Sequence, residues 1–314
     1  MEQIVNLVRD VLNQQAMSAE EKLQLSKICE IEDVFTKGFS KDKKYIIEND
    51  NGKKYILRIS DISLIDKRKQ QFEILQQLND IDIYCSKPIE FGTLGDNCYT
   101  LLSWLDGVDA KVAIKDLSEQ DVYLVGIEAG RILKKIHNLK IDKPSISWWD
   151  RYLLKMERKI TSLLDSSMQI PLQEQLIKYY RDNVDLMKNR PMCFCHGDYH
   201  LGNMIVCNGK IGIIDFDKCG IADPIDEFKP FCWNTMESEY FETGLVDGYF
   251  DYSIPDDFFK ILKYYTIESM ISHLPWAVNF GEEEVVIMKK INELQIKWWN
   301  NFELDIPTWY KKIK

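Results

Sequence analysis

Phe194 to Asp217 reads FCHGDYHLGNMIVCNGKIGIIDFD, and the fold is decided there. Two short apolar runs, Met204-Ile205-Val206 and Ile211-Gly212-Ile213-Ile214, flank Asn208-Gly209, a strong two-residue hairpin signal. Such a hairpin returns Asn203, just before its first strand, to the side of Asp215, at the end of its second. Two oxygen-bearing side chains brought together at strand ends make a plausible site for a hard cation. Asp198 adds a further carboxylate upstream. Any one of these residues alone reads as an ordinary loop Asp, turn Asn or strand-terminal Asp. Their joint spacing favours chemistry.

An Asp followed five positions later by Asn is the spacing of the protein-kinase catalytic loop. A downstream Asp-Phe after an apolar run resembles the kinase metal-binding Asp. Phosphoryl transfer needs one carboxylate near the acceptor hydroxyl, and hard oxygen ligands for Mg²⁺ bridging the nucleotide phosphates. The stretch supplies both.

Composition sets the outer bounds. The 314 residues have length for two domains at roughly 150 residues each. Hydrophobic residues make up 45% of the chain, enough for a real core. No apolar run approaches the ~18 residues of a membrane span. The N-terminal MEQIVNLVRDVLNQQ lacks a signal peptide's basic-then-apolar order. A cytoplasmic protein with no membrane partner is expected. Eight cysteines (29, 85, 98, 193, 195, 207, 219, 232) show no C-x-x-C pair, so reduced, mostly buried thiols are expected.

A net charge of −10 argues against a nucleic-acid partner, which needs a basic stripe. Residues 1–110 carry 14 basic and 19 acidic groups, residues 111–217 carry 16 and 14, and residues 218–314 carry 10 and 17. The acidic C-terminal third would concentrate a cationic small molecule, although a solubilising surface explains it equally well.

Residues 1 to 29 read as one or two helices, with Ser18-Ala19-Glu20-Glu21 as a capping-box-like start. Strands are expected at Ile31–Thr36, Lys44–Glu48 and Lys54–Ser60. Gly38-Phe39-Ser40 separates the first two and Asn49-Asp50-Asn51-Gly52 turns between the next. Gly38 with Ser40 fits a hairpin approaching phosphate oxygens, but equally an ordinary one. Arg58 interrupts an apolar strand. Residues 66 to 79 have helical period, with Phe72, Leu75 and Leu78 on one face. A second hairpin pattern covers Ile89–Gly92 and Cys98–Leu102. It ends in Ser103-Trp104-Leu105-Asp106-Gly107, whose freed backbone groups suit a nucleobase. Domains are accordingly expected at 1–102 and 108–314, with 103–107 as the hinge. Asp121 to Asn138 reads as a long amphipathic helix, with Leu124, Ile127, Ile132 and Ile136 along its buried stripe. His137 at its end reads as a capping or packing residue. Helices follow over 148–189 and from 233 through Phe302.

These residues together resemble the aminoglycoside phosphotransferase and choline kinase superfamily. The carriers are His196-Gly197-Asp198-x-His200-x-Gly202-Asn203, Ile213-Ile214-Asp215-Phe216-Asp217 and Asp223-Pro224-x-Asp226, with Gly38-x-Ser40, Leu57-Arg58-Ile59, Pro88 and Trp104-Leu105-x-Gly107 upstream. The likeness covers about residues 34 to 230 and is specific at 196–226. It implies a protein-kinase-like α+β fold of two lobes: a small antiparallel β-sheet lobe with a helix, and a larger mainly helical lobe. It further implies that Asp198 orients the acceptor hydroxyl, that Asn203 and Asp215 hold Mg²⁺, and that Arg58 contacts α/β phosphates. Ser40 would cover the triphosphate of ATP or GTP, and the backbone of Ser103 to Leu105 would bind the base. Asp226 would brace the catalytic loop. Many relatives have Lys at position 58, and the helix Glu that pairs with it falls at Gln71 here, leaving Glu73 as the substitute.

The activity expected is phosphorylation of a small hydroxylated, cationic molecule of aminoglycoside type, with antibiotic resistance as the associated role, or of a metabolic alcohol such as choline. Glu237, Glu239, Glu242 and Glu268 would line an acidic acceptor wall, with Trp276 or Trp299 facing an ammonium. Two other readings compete. His196-x-Asp198-x-His200 on one extended face would suit a metal-dependent hydrolase. The Arg58 and Gln71 departures would suit a nucleotide-binding pseudoenzyme.

Overall fold

Strands β1 (Leu25–Glu30), β2 (Lys43–Asn49) and β3 (Lys54–Asp61) open the observed fold. This computed structural model describes residue 6, residues 25–30 by their backbone, and residues 42–49, 52–140, 148–311 and 313. Gly38, Ser40, the Ile31–Thr36 segment and the Ser18 cap lie outside the described residues. Helix α1 (Ile65–Gln77) follows, then β4 (Tyr84–Cys85), β5 (Pro88–Leu94) and β6 (Asn97–Ser103).

All of these strands but β4 form a sheet in the order β1-β2-β3-β6-β5, antiparallel at every pairing. Alternation along β3 sends Tyr55, Leu57 and Ile59 to one face, where they pack with Tyr45, Ile47, Tyr99 and Leu101. Arg58 takes the opposite face. Leu25–Glu30 is a strand and not the expected helix. Its ladder with β2, from Leu25–Asn49 to Glu30–Tyr45, supplies hydrogen bonds that local helix propensity could not outweigh. The β2–β3 turn carries Gly52 at φ 76°, a left-handed conformation that glycine adopts without strain.

Contacts divide the chain into residues 1–107 with 212–214, and residues 108–211 with 215–314. The second unit is largely helical. It comprises β7 (Val108–Asp109), α2 (Ala110–Ala113), α3 (Glu119–His137), α4 (Trp148–Asp165), α5 (Gln173–Asp182) and β8 (Cys193–Cys195). Then come β9 (Met204–Cys207), β10 (Lys210–Ile213, whose last two residues fall in the first unit), β11 (Gly220–Ala222), α6 (Phe231–Glu237), α7 (Glu239–Phe250), α8 (Phe258–Ala277) and α9 (Glu282–Trp298). The α+β architecture expected from the sequence is present.

Helix α8 is apolar over most of its surface and buried along most of its length, and α4, α5 and α9 pack about it. Trp299, expected to offer a face to an ammonium, is fully buried, with Lys263 Nζ 5.5 Å from its ring centroid. Trp276 packs against Phe280, ring centroids 4.7 Å apart and the planes tilted by 42°.

Helix α3 buries Ile127, Ile132 and Ile136 of the expected stripe, but not Leu124. Leu124 is 53% exposed. The cause is a glycine-lined crossing with α7: a Cβ on Gly126 would stand 2.2 Å from Phe241 O, and one on Gly130 would stand 2.1 Å from Leu245 O. Gly244 and Gly248 meet Tyr123 O and Ile127 O at 2.2 Å in return. Backbones in such close approach turn the glycine face inward and leave Leu124 outside. Gly130→Val should therefore cost about 1–3 kcal/mol or more through overpacking, read as a lowered urea midpoint.

Candidate active site

Strand β8 pairs antiparallel with β11, Cys195 opposite Gly220, so residues 196–219 form one excursion from a two-strand base. Gly197 turns the chain at φ 85°, where a Cβ would fall 2.2 Å from Lys218 O. Only glycine fits that approach. Its N–H donates to Glu227 Oε1 at 2.8 Å. The loop brace is therefore Glu227, and not the expected Asp226, which is held by Lys229 and by Lys155 at 4.0 Å. His196 is fully buried, its ring 4.4 Å from Phe216, and its Nδ1 accepts the Asp198 N–H at 3.2 Å. Tyr199 donates its hydroxyl to Ala129 O of α3 at 2.7 Å.

Asp198 is the hub of this loop. Asn203 Nδ2 donates to Asp198 O at 2.8 Å and to Oδ2 at 3.3 Å, realising the Asp-to-Asn spacing as a hydrogen-bonded pair. Lys218 Nζ lies 3.0 Å from Oδ2, and His200 Nε2 lies 3.7 Å from Oδ1. Burial alone would raise the Asp198 carboxyl, but His200, then Lys218, hold it well below the usual carboxylate range. The group is an anion at neutral pH. It can orient a hydroxyl and take its proton late in the reaction, but is a weak base beforehand.

The hairpin stands as expected, β9 and β10 joined by Asn208 (φ 50°) and Gly209 (φ 75°), both left-handed as a type I′ turn requires. Asn203 immediately precedes β9. Asp215, two residues after β10, sits at φ 62° and ψ 59°, a costly conformation for a non-glycine residue and one that clusters at functional sites. Asn203, with its amide nitrogen committed to Asp198, has Oδ1 left as an acceptor, and Asp215 brings a carboxylate. Oxygen donors of this kind suit a hard divalent cation such as Mg²⁺.

Behind the loop, Leu201 N–H donates to Asn234 Oδ1 at 2.8 Å, and Asn234 Nδ2 to Glu242 Oε2 at 2.7 Å. Burial pushes the Glu242 carboxyl up to about 8, against the Asn234 hydrogen bond. Between the ordinary glutamate value and about 8 the folded chain keeps a proton that the unfolded chain has lost, so this group lowers stability as pH rises. Glu242→Gln keeps an acceptor for Asn234 and should raise the thermal midpoint at pH 8 while changing it little at pH 5. A midpoint difference independent of pH would contradict that protonation state.

In the first unit, Arg58 meets a counter-ion other than the two candidates on α1. Asp42 Oδ2 takes Arg58 Nε at 2.7 Å and Arg68 NH2 at 2.6 Å. Gln71 Oε1 accepts from Arg68 NH1 at 2.8 Å, and Glu73 is exposed. Ser103 donates its N–H to Lys87 O and accepts the Lys87 N–H on its hydroxyl, both at 2.8 Å, so its amide is already engaged. Leu105 is buried.

The expected acidic wall is halved. Glu268 is fully buried among Tyr152, Lys159, Lys155 (3.1 Å) and Lys229 (3.6 Å), and Glu242 is buried beside Asn234. Glu237 and Glu239 are partly exposed and face Lys111 and Lys311. Sequence reasoning missed Lys218, Glu227, Asn234 and Asp42. Of these, Glu227 had the nearest signal, directly after Asp226 in the specific motif.

The family model described as "Phosphotransferase enzyme family" matches residues 33–258. The chain belongs to this family. It is a small-molecule phosphotransferase. Among solved structures, this phosphotransferase is similar to an amicoumacin kinase in complex with AMP-PNP and Ca²⁺, at 16% identity and a TM-score of 0.64, covering 94% of this chain and 92% of that one. The aminoglycoside phosphotransferase APH(4)-Ia aligns at 14% identity and a TM-score of 0.64, over 92% of this chain and 98% of that one. APH(2")-IIa, in a ternary complex with streptomycin and ATP, aligns at 16% and 0.63, over 90% and 94%. No curated protein matches the sequence. The family and these neighbours carry the kinase-like, two-lobed fold.

Proposed function

We propose that this phosphotransferase moves the γ-phosphoryl group of ATP or GTP, as the Mg²⁺ complex, to a hydroxyl of a small cationic molecule. The observation that carries the reading is the Asp198–Asn203 pair, an ionised carboxylate fixed beside an amide whose oxygen remains an acceptor. In the reaction a bond forms from the acceptor oxygen to Pγ and the bond from Pγ to the β–γ bridging oxygen breaks. The hydroxyl proton passes to Asp198 Oδ, and the nucleoside diphosphate leaves. Asn203 and Asp215 would hold Mg²⁺, which would supply charge neutralisation for the transferred phosphoryl group. Arg58 contacts phosphate, as a planar fork fixed by Asp42 in place of a point-charge lysine. Ser40 covers the triphosphate, and the backbone at Leu105, more than that at Ser103, receives the base.

For the acceptor, Trp233 and Glu237 lie four residues apart on one face of α6. The Trp233 ring is 6.4 Å from His200. Glu237 lies 3.7 Å from Lys111, whose Cε is 3.3 Å from where a Cβ on Gly202 would stand. An aromatic face and a carboxylate beside the catalytic loop suit an amine-bearing alcohol of aminoglycoside type; choline-like alcohols share that chemistry and are the second class. A panel of hydroxylated acceptors assayed by ADP or GDP release tests the reading. Trp233→Ala and Glu237→Gln should each raise KM for a cationic acceptor about 3–10-fold with kcat nearly unchanged. Equal KM values for cationic and neutral acceptors in wild type and both variants would overturn the cationic assignment.

A further inference from the structure

A second cluster of chemically loaded side chains lies behind the catalytic loop and takes no part in phosphoryl transfer. Cys193 and Cys195 alternate onto one face of β8, and their sulfurs are 3.6 Å apart. His137, at the end of α3, completes a set whose ligand atoms all lie within 4.8 Å of one another. Both Cys195 and His137 are buried. His137 Nδ1 is engaged by Tyr249 OH at 2.8 Å, whereas the buried Nε2 has no hydrogen-bond partner among the described residues. Glu227 Oε2, 3.6 Å from that nitrogen, is likewise without one. Buried polar atoms left in this way call for an explanation.

We propose that Cys193, Cys195 and His137 Nε2 form a binding site for a thiolate-preferring d¹⁰ cation, zinc(II) in the first instance, seated beneath the catalytic loop. The distances fit. Sulfurs bound tetrahedrally to zinc at about 2.3 Å stand roughly 3.8 Å apart, and nitrogen and oxygen ligands at about 2.0–2.1 Å stand roughly 3.3 Å apart. Glu227 Oε2 is an oxygen available to the fourth position. The hydrogen bond from His137 Nδ1 to Tyr249 is the outer contact that fixes the ring of a metal-ligating histidine.

Zinc binds thiolates and a neutral imidazole, so any protons these ligands carry pass to solvent on binding and affinity rises with pH. The site also touches the loop. Cys195 is followed directly by His196, Gly197 and Asp198, and Glu227 accepts the Gly197 N–H through its other oxygen. An ion here would stiffen the base from which Asp198 projects.

The test needs no nucleotide and so stands apart from the phosphotransfer reading. The full chain, reduced and stripped with chelator, is titrated with Co²⁺ and then with Zn²⁺. One equivalent of Co²⁺ should give a thiolate-to-cobalt charge-transfer band with intense tetrahedral d–d absorption. One equivalent of Zn²⁺ should bleach it, with release of protons as the ion binds. Cys193→Ser should abolish the charge-transfer band, and Tyr249→Phe should weaken the affinity roughly 10–100-fold. Absence of the band in wild type overturns the proposal, and so does a band of unchanged intensity in Cys193→Ser or in a folded Cys195→Ser. Cys193 is partly exposed, so its serine variant decides the matter even where Cys195→Ser fails to fold.

Discussion

Asp198→Asn should lower kcat by about 10²–10⁴-fold, the range lost when a positioned acid–base group is removed. The substitution preserves shape and leaves the Asp198 backbone oxygen for Asn203, so the loop keeps its form. It removes the charge that faces Lys218 and His200. Lys218 is more than half exposed, so the lost ion pair costs less than about 1 kcal/mol and the thermal midpoint should barely move. Affinity for MgATP should also stay near wild type, because Asn203 and Asp215 are untouched. Asp215→Asn should behave in the opposite way, weakening MgATP binding in calorimetry. A variant at position 198 with near-wild-type turnover would remove Asp198 from the chemistry.

The largest effect on stability is expected at Glu268. Burial works against ionisation there, but Lys155, Lys159 and Lys229 hold the carboxyl well below the usual range. Glu268→Ala strands these ammonium groups in a largely desolvated pocket and should cost about 3–5 kcal/mol. In a unit of this size that is a fall of roughly 6–20 °C in the thermal midpoint. The sign with pH follows from the depressed carboxyl. The contribution is fully present above the ordinary glutamate value and is lost only as pH falls below it. Wild type and variant should therefore differ most at neutral pH and converge in acid. A second substitution, Lys159→Met, should recover part of the loss. An unchanged midpoint in Glu268→Ala would show that the cluster is hydrated and contributes little.

How much of this was legible in the sequence depended on whether local chemistry or distant packing set each residue's fate. The hairpin at 204–213 was readable because Asn208-Gly209 satisfies a backbone requirement that few pairs meet. The Asp198–Asn203 contact was readable because both residues lie in one short turn. Glu268 and Glu242 read as members of an acidic acceptor wall, and nothing near them in sequence announces the lysines of α4 or the Asn234 of α6 that bury with them. Ile127, Ile132 and Ile136 bury as their helical stripe implies, but the glycine crossing with α7, more than a hundred residues on, leaves Leu124 outside it. Arg58 was sought by a glutamate on α1, whereas Asp42, before β2, takes that place. Leu25–Glu30 followed its pairing with β2 in preference to its own propensity.

The central claim is transfer of a phosphoryl group to a hydroxyl, with Asp198 as the residue that orients it. The most direct measurement is incubation of the purified chain with γ-labelled ATP, Mg²⁺ and a hydroxylated polyamine acceptor, followed by ³¹P NMR and mass analysis of the acceptor. The account predicts a phosphate monoester on an acceptor hydroxyl, formed in step with ADP, dependent on Mg²⁺ and lost in Asp198→Asn. Nucleotide consumption with inorganic phosphate as the sole product, at equal rates in wild type and Asp198→Asn, would contradict it.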